Sequence, residues 1–516
     1  MSAAHSSSAA SSGSSIAPLG SASTAGVDIA DLKEKSVRGG IVTMVSQAVS
    51  VCIQLISTAV LGRLLSPKDY GMMAMTMAIV SFGGLFLDLG LSSVAIQKKE
   101  LTHAQSSNLF WLNVAMGVLL TALVATASPI VVWFYGKPEL LWVTVALSFS
   151  FVIASIGTQH GARLVRDMQF GKRSLATVSG ALVTLVTSVT LALNDFSYWS
   201  LVWGNLSGGG VTTMLLFILS PFRPGLMSRG TGVLEMLKFG ANITAFDFVN
   251  HFQRNLDNIL IGRFWGAGPL GLYSRAYSLL MLPITSIRGP INAVAFPALS
   301  RLKDDPDAFR SYYLRTTSLI ALLSMPLAAY FYVASDPIIE LVLGKQWIAV
   351  APIFSCLSLA ALIQPAAGFV GSLLLSLGQG KRYFTCGLFN AVFLSICFVV
   401  GVGWGPIGVA IAYTVGNYLV LVPWLWWAFR ESPVKFVMFG RAISFPICIS
   451  ILGALGALLA QPYLSSYSPF IQLVSLFVVF ALTCVPLFFL TQSGRSQISI
   501  IRGIFAHVRK SIPKTL

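Results

Sequence analysis

Charge is scarce in this sequence, and negative charge scarcest. Only 10% of its 516 residues are Asp, Glu, Lys or Arg, and 18 acids face 34 bases. So few charges cannot solvate a soluble protein whose residues are 55% hydrophobic. Cysteine is sparse as well: Cys52, Cys356, Cys386, Cys397, Cys448 and Cys484 all fall inside apolar runs, with no CxxC pair and no His-Cys cluster at zinc spacing. They read as small buried hydrophobes and not as a disulfide framework or a zinc module. There is no GxxxxGK[ST], HExxH or GxSxG, so ATP-driven transport and hydrolysis by those routes lack support, and GQGKR at 378–382 has too few glycines in register to cradle a phosphate. Residues 1–26 lack the basic start and the continuous apolar run of a signal peptide and read as a disordered Ser/Ala-rich tail.

What the chain does have is apolar runs of about twenty residues, the length that crosses a bilayer, and a mean hydropathy of +0.78. They predict an all-α polytopic membrane protein of about 14 spans, near 40–62, 70–96, 106–134, 140–162, 174–194, 198–220, 238–262, 270–297, 312–334, 347–376, 383–403, 405–428, 440–460 and 468–491. An even count puts both termini on one side. That side collects 26 lysines and arginines, whereas the other has five: Arg63, Lys68, Lys137, Arg263 and Lys345. By the positive-inside rule the rich side is cytoplasmic. The net charge of +16 is thus a topology signal, and no nucleic-acid partner is expected.

A shift of 200 residues lays LGRLLSPKDYG (61–71) on IGRFWGAGPLG (261–271), superposing Gly62 on Gly262, Arg63 on Arg263 and Gly71 on Gly271. This repeat pairs span one with span seven, so it implies two pseudo-symmetric six-helix lobes in the same orientation followed by two extra helices. The expected divisions are a cytoplasmic tail over 1–36, an N-lobe over 37–222, a C-lobe over 223–432, helices 13 and 14 over 433–492, and a basic cytoplasmic tail over 493–516. Span seven carries a polar stripe, Asp247, Asn250, Arg254, Asp257 and Asn258, with a fainter uncharged counterpart in span one at Gln47, Ser50, Gln54, Ser57 and Thr58. Spacings of three and four put each set on one helical face.

The runs LGRLLSPKDYGMMAM, LDLGLSSVAIQKKELTHAQSSNLFWLNVAMGVLL, FYGKPEL, RDMQFGKRS, NLDNILIGRFWGAGPLGLYSRAYSLLMLPI, FPALSRL and LLSLGQGKRY closely resemble the Wzx-type bacterial polysaccharide transporters. The resemblance is particularly to the colanic-acid-exporter-like branch of the multidrug/oligosaccharidyl-lipid/polysaccharide exporter superfamily, and it extends from about Lys35 to Arg441. The resemblance implies an inner-membrane flippase that moves an undecaprenyl-pyrophosphate-linked oligosaccharide to the periplasmic leaflet by alternating access, for exopolysaccharide or lipopolysaccharide assembly. It implies neither catalysis nor a cofactor. Membrane lipid, a polysaccharide polymerase and a chain-length regulator are the implied partners beside the cargo, and the two C-terminal helices are expected to border a groove for its lipid chain.

Arg254, Arg275 and Arg288 lie within spans, with Asp88, Asp247 and Asp257. An arginine at a helix centre costs about 2.5–3.5 kcal/mol on insertion scales, so something must compensate it. Judged by depth from the loop joining spans seven and eight, Asp257 matches Arg275 and Asp247 matches Arg288; alternatively Asp257 pairs with Arg254 one turn away. Either arrangement leaves one of Arg254 and Arg275 less fully neutralised. Two readings stand: the arginines are purely structural, or at least one meets an anionic pyrophosphate, which a guanidinium can grip with two hydrogen bonds. Asn250, Asn258 and Tyr273 join Arg254, Arg275 and Asp257 as candidate cargo contacts, while Asp247, Asp88 and Arg288 are candidates for ion coupling or ion pairing. A multidrug or small-solute antiporter of the same superfamily is the alternative function, and a membrane glycosyltransferase or polymerase is a more distant one.

Overall fold

The computed structural model describes residues 29–88, 102–228, 251–491 and 494–495, excepting the side chains of 29–38 and 88. The described residues form helices and contain no strand. The first half runs α1 (Ile29–Leu64), α2 (Pro67–Asp88), α3 (His103–Thr126), the short α4 (Ser128–Tyr135), α5 (Leu140–Arg166), α6 (Phe170–Leu193) and α7 (Trp199–Leu219). The second half follows the same order. It comprises α8 (251–265 as described), α9 (Ala267–Arg301), α10 (Pro306–Val333), the short α11 (Ser335–Val342), α12 (Ala351–Ala367) with its continuation α13 (Val370–Ser376), α14 (Gly380–Gly401) and α15 (Gly405–Phe429). The chain then adds α16 (Phe436–Leu464) and α17 (Pro469–Leu490).

Twelve helical segments among the described residues are long and apolar enough to cross a bilayer, so this is a multi-span membrane protein. The fourteen expected spans exceed that number for two reasons. The segment Gly380–Phe429 is a hairpin, with Gly401 against Ala412 and Gly416 against Cys397, the register of antiparallel helices. The expected span 238–262 extends outside the described residues.

The halves correspond beyond the repeat read at span one. Pro129 and Pro337 start the short helices α4 and α11, where a missing N–H is harmless. Each short helix gives way to a left-handed glycine and a lysine, Gly136-Lys137 and Gly344-Lys345. The α5–α6 corner also matches the α13–α14 corner: Met168 and Gly378 have φ of 54° and 74°. The next residues, Gln169 and Gln379, donate their N–H to Leu164 O and Leu374 O at 2.8 and 2.9 Å.

Arg163, Arg166, Lys172, Arg173 and Arg301 mark the basic end of the bundle; Pro67, Ala267, α4 and α11 lie at the far end. One large apolar core joins both halves near the far end, and includes Leu61, Tyr70, Tyr135, Ile261, Tyr273, Leu343 and Trp347. Two further apolar cores each belong to one half. Val80, Leu120, Val143, Leu147, Phe151 and Val202 belong to the first half, and Leu299, Phe309, Tyr313, Phe369 and Phe429 to the second. The last two helices dock on α10 through Val333, Ile449, Ala457, Leu476 and Phe480, with Tyr330 donating to Leu473 O at 2.7 Å.

Candidate functional site

The repeated sequence builds the closure between halves. A Cβ on Gly71 would overlap the Ala267 carbonyl, and one on Gly271 would overlap that of Pro67, so α2 and α9 cross with their backbones in contact. Only glycine permits that approach. Gly62 faces Leu343, whose Cδ2 would stand 2.9 Å from an added Cβ; Gly262 faces Tyr135 in the same way at 2.8 Å. Arg63 donates to Leu341 O at 2.9 Å, while Arg263 lies 5.6 Å over the Phe134 ring. Each arginine thus reaches the short helix of the other half. Trp347 Nε1 and Gln346 Nε2 also donate to Gly62 O, at 2.6 and 2.7 Å. With the halves sealed here, the far end of the bundle is closed.

Inside the bundle the halves differ. Asp257 is only 5% exposed, accepting from Tyr273 Oη at 2.9 Å and from the Asn258 N–H at 2.7 Å. A polar chain continues alongside it from Tyr277 to Tyr413 and on to Gln364, whose Nε2 donates to Tyr413 Oη. Arg275 leaves the acid alone. Its guanidinium carbon sits 4.1 Å over the ring of Tyr70 from α2, and its Nε is buried with no hydrogen-bond partner. Arg288 donates to Gly368 O at 2.9 Å, at the break between α12 and α13, where a Cβ on Gly368 would stand 2.8 Å from Nη1. Arg254 is exposed on α8, and its charge is felt at His251, Tyr277, Arg288 and Tyr413. None of the three arginines forms an ion pair with a described residue.

A family model described as polysaccharide biosynthesis protein matches residues 60–352. The chain belongs to that polysaccharide biosynthesis protein family. It is 26% identical over 397 residues to the lipopolysaccharide biosynthesis protein WzxC of Escherichia coli (strain K12), covering 76% of this chain and 79% of that one. It is 29% identical over 345 residues to the teichuronic acid biosynthesis protein TuaB of Bacillus subtilis (strain 168), covering 66% and 71%. Among solved structures it is similar to the lipid II flippase MurJ in an inward closed conformation, with a TM-score of 0.71 and 14% identity over 88% of this chain and 99% of that one. An inward-facing multidrug resistance MATE family transporter of the MOP superfamily gives a TM-score of 0.59 and 15% identity over 76% and 98%. These likenesses establish the all-helical exporter fold.

In this member of the polysaccharide biosynthesis protein family, depth alone is a poor guide to pairing. Asp257 and Arg275 lie at similar depth yet point to different neighbours, Tyr273 and Tyr70, and Asp257 does not pair with Arg254 either. Tyr273 is fully buried, so it has no ring surface to stack on a sugar; its hydroxyl positions Asp257. Asn258 is half-buried with an unpartnered Oδ1. Asp247 and Asn250 lie outside the described residues, as does the side chain of Asp88, so the Asp247–Arg288 pairing has no geometry here. Sequence reading missed Tyr70, Gln364 and Tyr413. A glutamine in the apolar run LAALIQPAA was the available signal for Gln364.

Proposed function

We propose that this chain is a bacterial inner-membrane flippase that carries an undecaprenyl-pyrophosphate-linked oligosaccharide repeat unit to the periplasmic leaflet by alternating access between an N-lobe (37–222) and a C-lobe (223–432). The observation that carries this reading is the set of three interior arginines without carboxylate partners among the described residues. A cation pump would place acids there; excess guanidinium suits an anionic diphosphate. The same imbalance disfavours multidrug antiport, despite the MATE-like fold, and nothing in the reading calls for an enzyme. With the basic end cytoplasmic, as the positive-inside rule directs, the closed far end is periplasmic.

Arg254 is the cargo contact in this reading. It is the exposed arginine, whereas Arg275 is packed on Tyr70. Asn258, one turn along the same helix, keeps its Oδ1 buried without a partner, so a sugar contact there would require the side chain to turn outward. Arg254→Ala removes charge-assisted hydrogen bonds of about 1.5–3 kcal/mol, so export should fall roughly ten- to a hundredfold with normal amounts of protein in the membrane. The test is complementation of a host lacking the gene, with polysaccharide output and cytoplasm-facing lipid-linked glycan as readouts. Undiminished output from R254A removes it from the site. Failure of the wild-type chain to clear accumulated glycan sinks the flippase reading.

A further inference from the structure

A cavity lies away from these arginines, wholly within the first half. It is a crevice of about 640 Å³ between α5, α6 and α7, within the range of small-molecule sites. It runs from Arg173 near the basic end to the level of Thr184 and Asn205, about 17 Å along α6 at 1.5 Å per residue, or roughly half the hydrocarbon thickness. Its wall holds five glycines, six serine or threonine hydroxyls, Asn205 and Arg173, and no carboxylate.

The hydroxyls are oriented. Ser150, Thr158, Thr177, Thr184 and Thr212 donate to carbonyls of their own helices, and Thr213 donates across to Ile153 O at 2.9 Å. A hydroxyl whose proton is spent this way presents lone pairs to its surroundings. The crevice therefore shows hydrogen-bond acceptors without formal negative charge, with donors at exposed Asn205 and Arg173. Thr184 Oγ1 and Thr212 Oγ1 lie against Gly208 and Gly180 of the facing helix, which leaves Thr158 and Thr177 as the more open hydroxyls, and Arg173 at the mouth repels an organic cation. A polyhydroxylated ligand, whose O–H groups meet acceptors and whose acidic substituent meets Arg173, fits both features.

We propose that this crevice is a second cargo subsite, taking sugar hydroxyls of the glycan while its diphosphate lies at Arg254. The proposal rests on the flippase reading. A glycerol headgroup from a phosphatidylglycerol lipid has the same chemistry, so the experiment separates the two sources.

Asn205→Cys is treated, in inverted membrane vesicles, with methanethiosulfonate ethylsulfonate, an anionic reagent that reacts only with thiols in water. The unsubstituted chain gives the background of its six native cysteines. Vesicles come from cells that make the lipid-linked glycan and from cells lacking its first glycosyltransferase. Labelling at least about tenfold slower only where the glycan is present supports the subsite. Equal rates in both preparations, whether fast because the crevice holds water alone or slow because a phospholipid fills it, overturn it, as does absence of reaction in both.

Filling the crevice gives an independent arm. A Cβ at Gly161 or Gly209 meets only one side-chain atom, at 3.8 Å in each case, and Gly210, outside the wall, meets nothing within 4 Å. Gly161→Leu and Gly209→Leu should lower export about tenfold or more at normal membrane levels, while Gly210→Leu should leave it unchanged. Export by G161L and G209L equal to that of G210L sinks the subsite. If the wild-type chain restores no export, the flippase reading itself fails, which is a separate result.

Discussion

The crevice between α5, α6 and α7 and the groove between α14 and α15 are similar in size, about 640 and 500 Å³, and both use the last helical hairpin of a half. Their walls are opposite in chemistry. Hydroxyls, Asn205 and Arg173 line the first; the second is walled by Ile396, Val400, Trp404, Ile411 and Leu419 over a floor of Gly401, Gly408 and Gly416. The corners that open the two hairpins share a backbone path, with Met168 in one and Gly378 in the other at positive φ. A duplicated scaffold has thus kept its geometry while the chemistry of these two walls diverged. The apolar groove can be filled by lipid tails, whereas the polar crevice needs water or hydroxyl-rich cargo.

The largest expected effect comes from placing one arginine in each wall. At Ile411, on the apolar groove, it should cost about 2.5–3.5 kcal/mol of insertion free energy and visibly lower the amount of protein in the membrane. At Asn205, in the polar crevice, the same side chain should insert normally. Equal membrane levels for I411R and N205R would erase the distinction between the two spaces.

Next in size is the closure at the far end, where the halves are alike. Gly71→Leu and Gly271→Leu each force a side chain into the opposing backbone. Overpacking of this kind costs about 1–3 kcal/mol, which should shift the protein away from the far-end-closed state. A cysteine at Leu65, buried beside the crossing, reports opening by its reaction with an impermeant thiol reagent added to whole cells. Faster labelling in both variants is expected. Acceleration in G71L alone would show that the two crossings are not equivalent.

The closure also shows what the sequence made legible. Gly62, Arg63 and Gly71 and their counterparts at 262, 263 and 271 were visible as a repeat, because close helix crossings tolerate little but glycine and so preserve letters. The short-helix correspondence escaped the same comparison: Gly136-Lys137 meets Gly344-Lys345 at a shift of 208 residues, not 200. The α5–α6 corner escaped because methionine and glycine occupy one conformation. Depth arithmetic mispaired Asp257 with Arg275 since it fixes height along a helix and leaves rotation free; Tyr273 and Tyr70 are the neighbours that rotation selects. The crevice was invisible for a related reason. Thr177, Thr184 and Thr212 are unremarkable letters in apolar helices until packing gathers their oxygens into one wall.

The smallest effect tests how far the likeness of the halves extends in energy. Arg63 and Arg263 occupy equivalent positions and reach equivalent short helices, but through different interactions. Arg63 makes a hydrogen bond to the Leu341 carbonyl, and Arg263 stacks over Phe134. An exposed cation–π contact contributes about 0.5–1 kcal/mol, and a hydrogen bond from a charged donor about 1.5–3 kcal/mol before solvent exposure reduces it. Arg63→Ala should therefore raise labelling at a Leu65 cysteine more than Arg263→Ala does, by a few-fold at most. Salt should narrow the gap by weakening both contacts. If R263A opens the far end as readily as R63A, the two arginines act through their common position and not through the contacts that distinguish them.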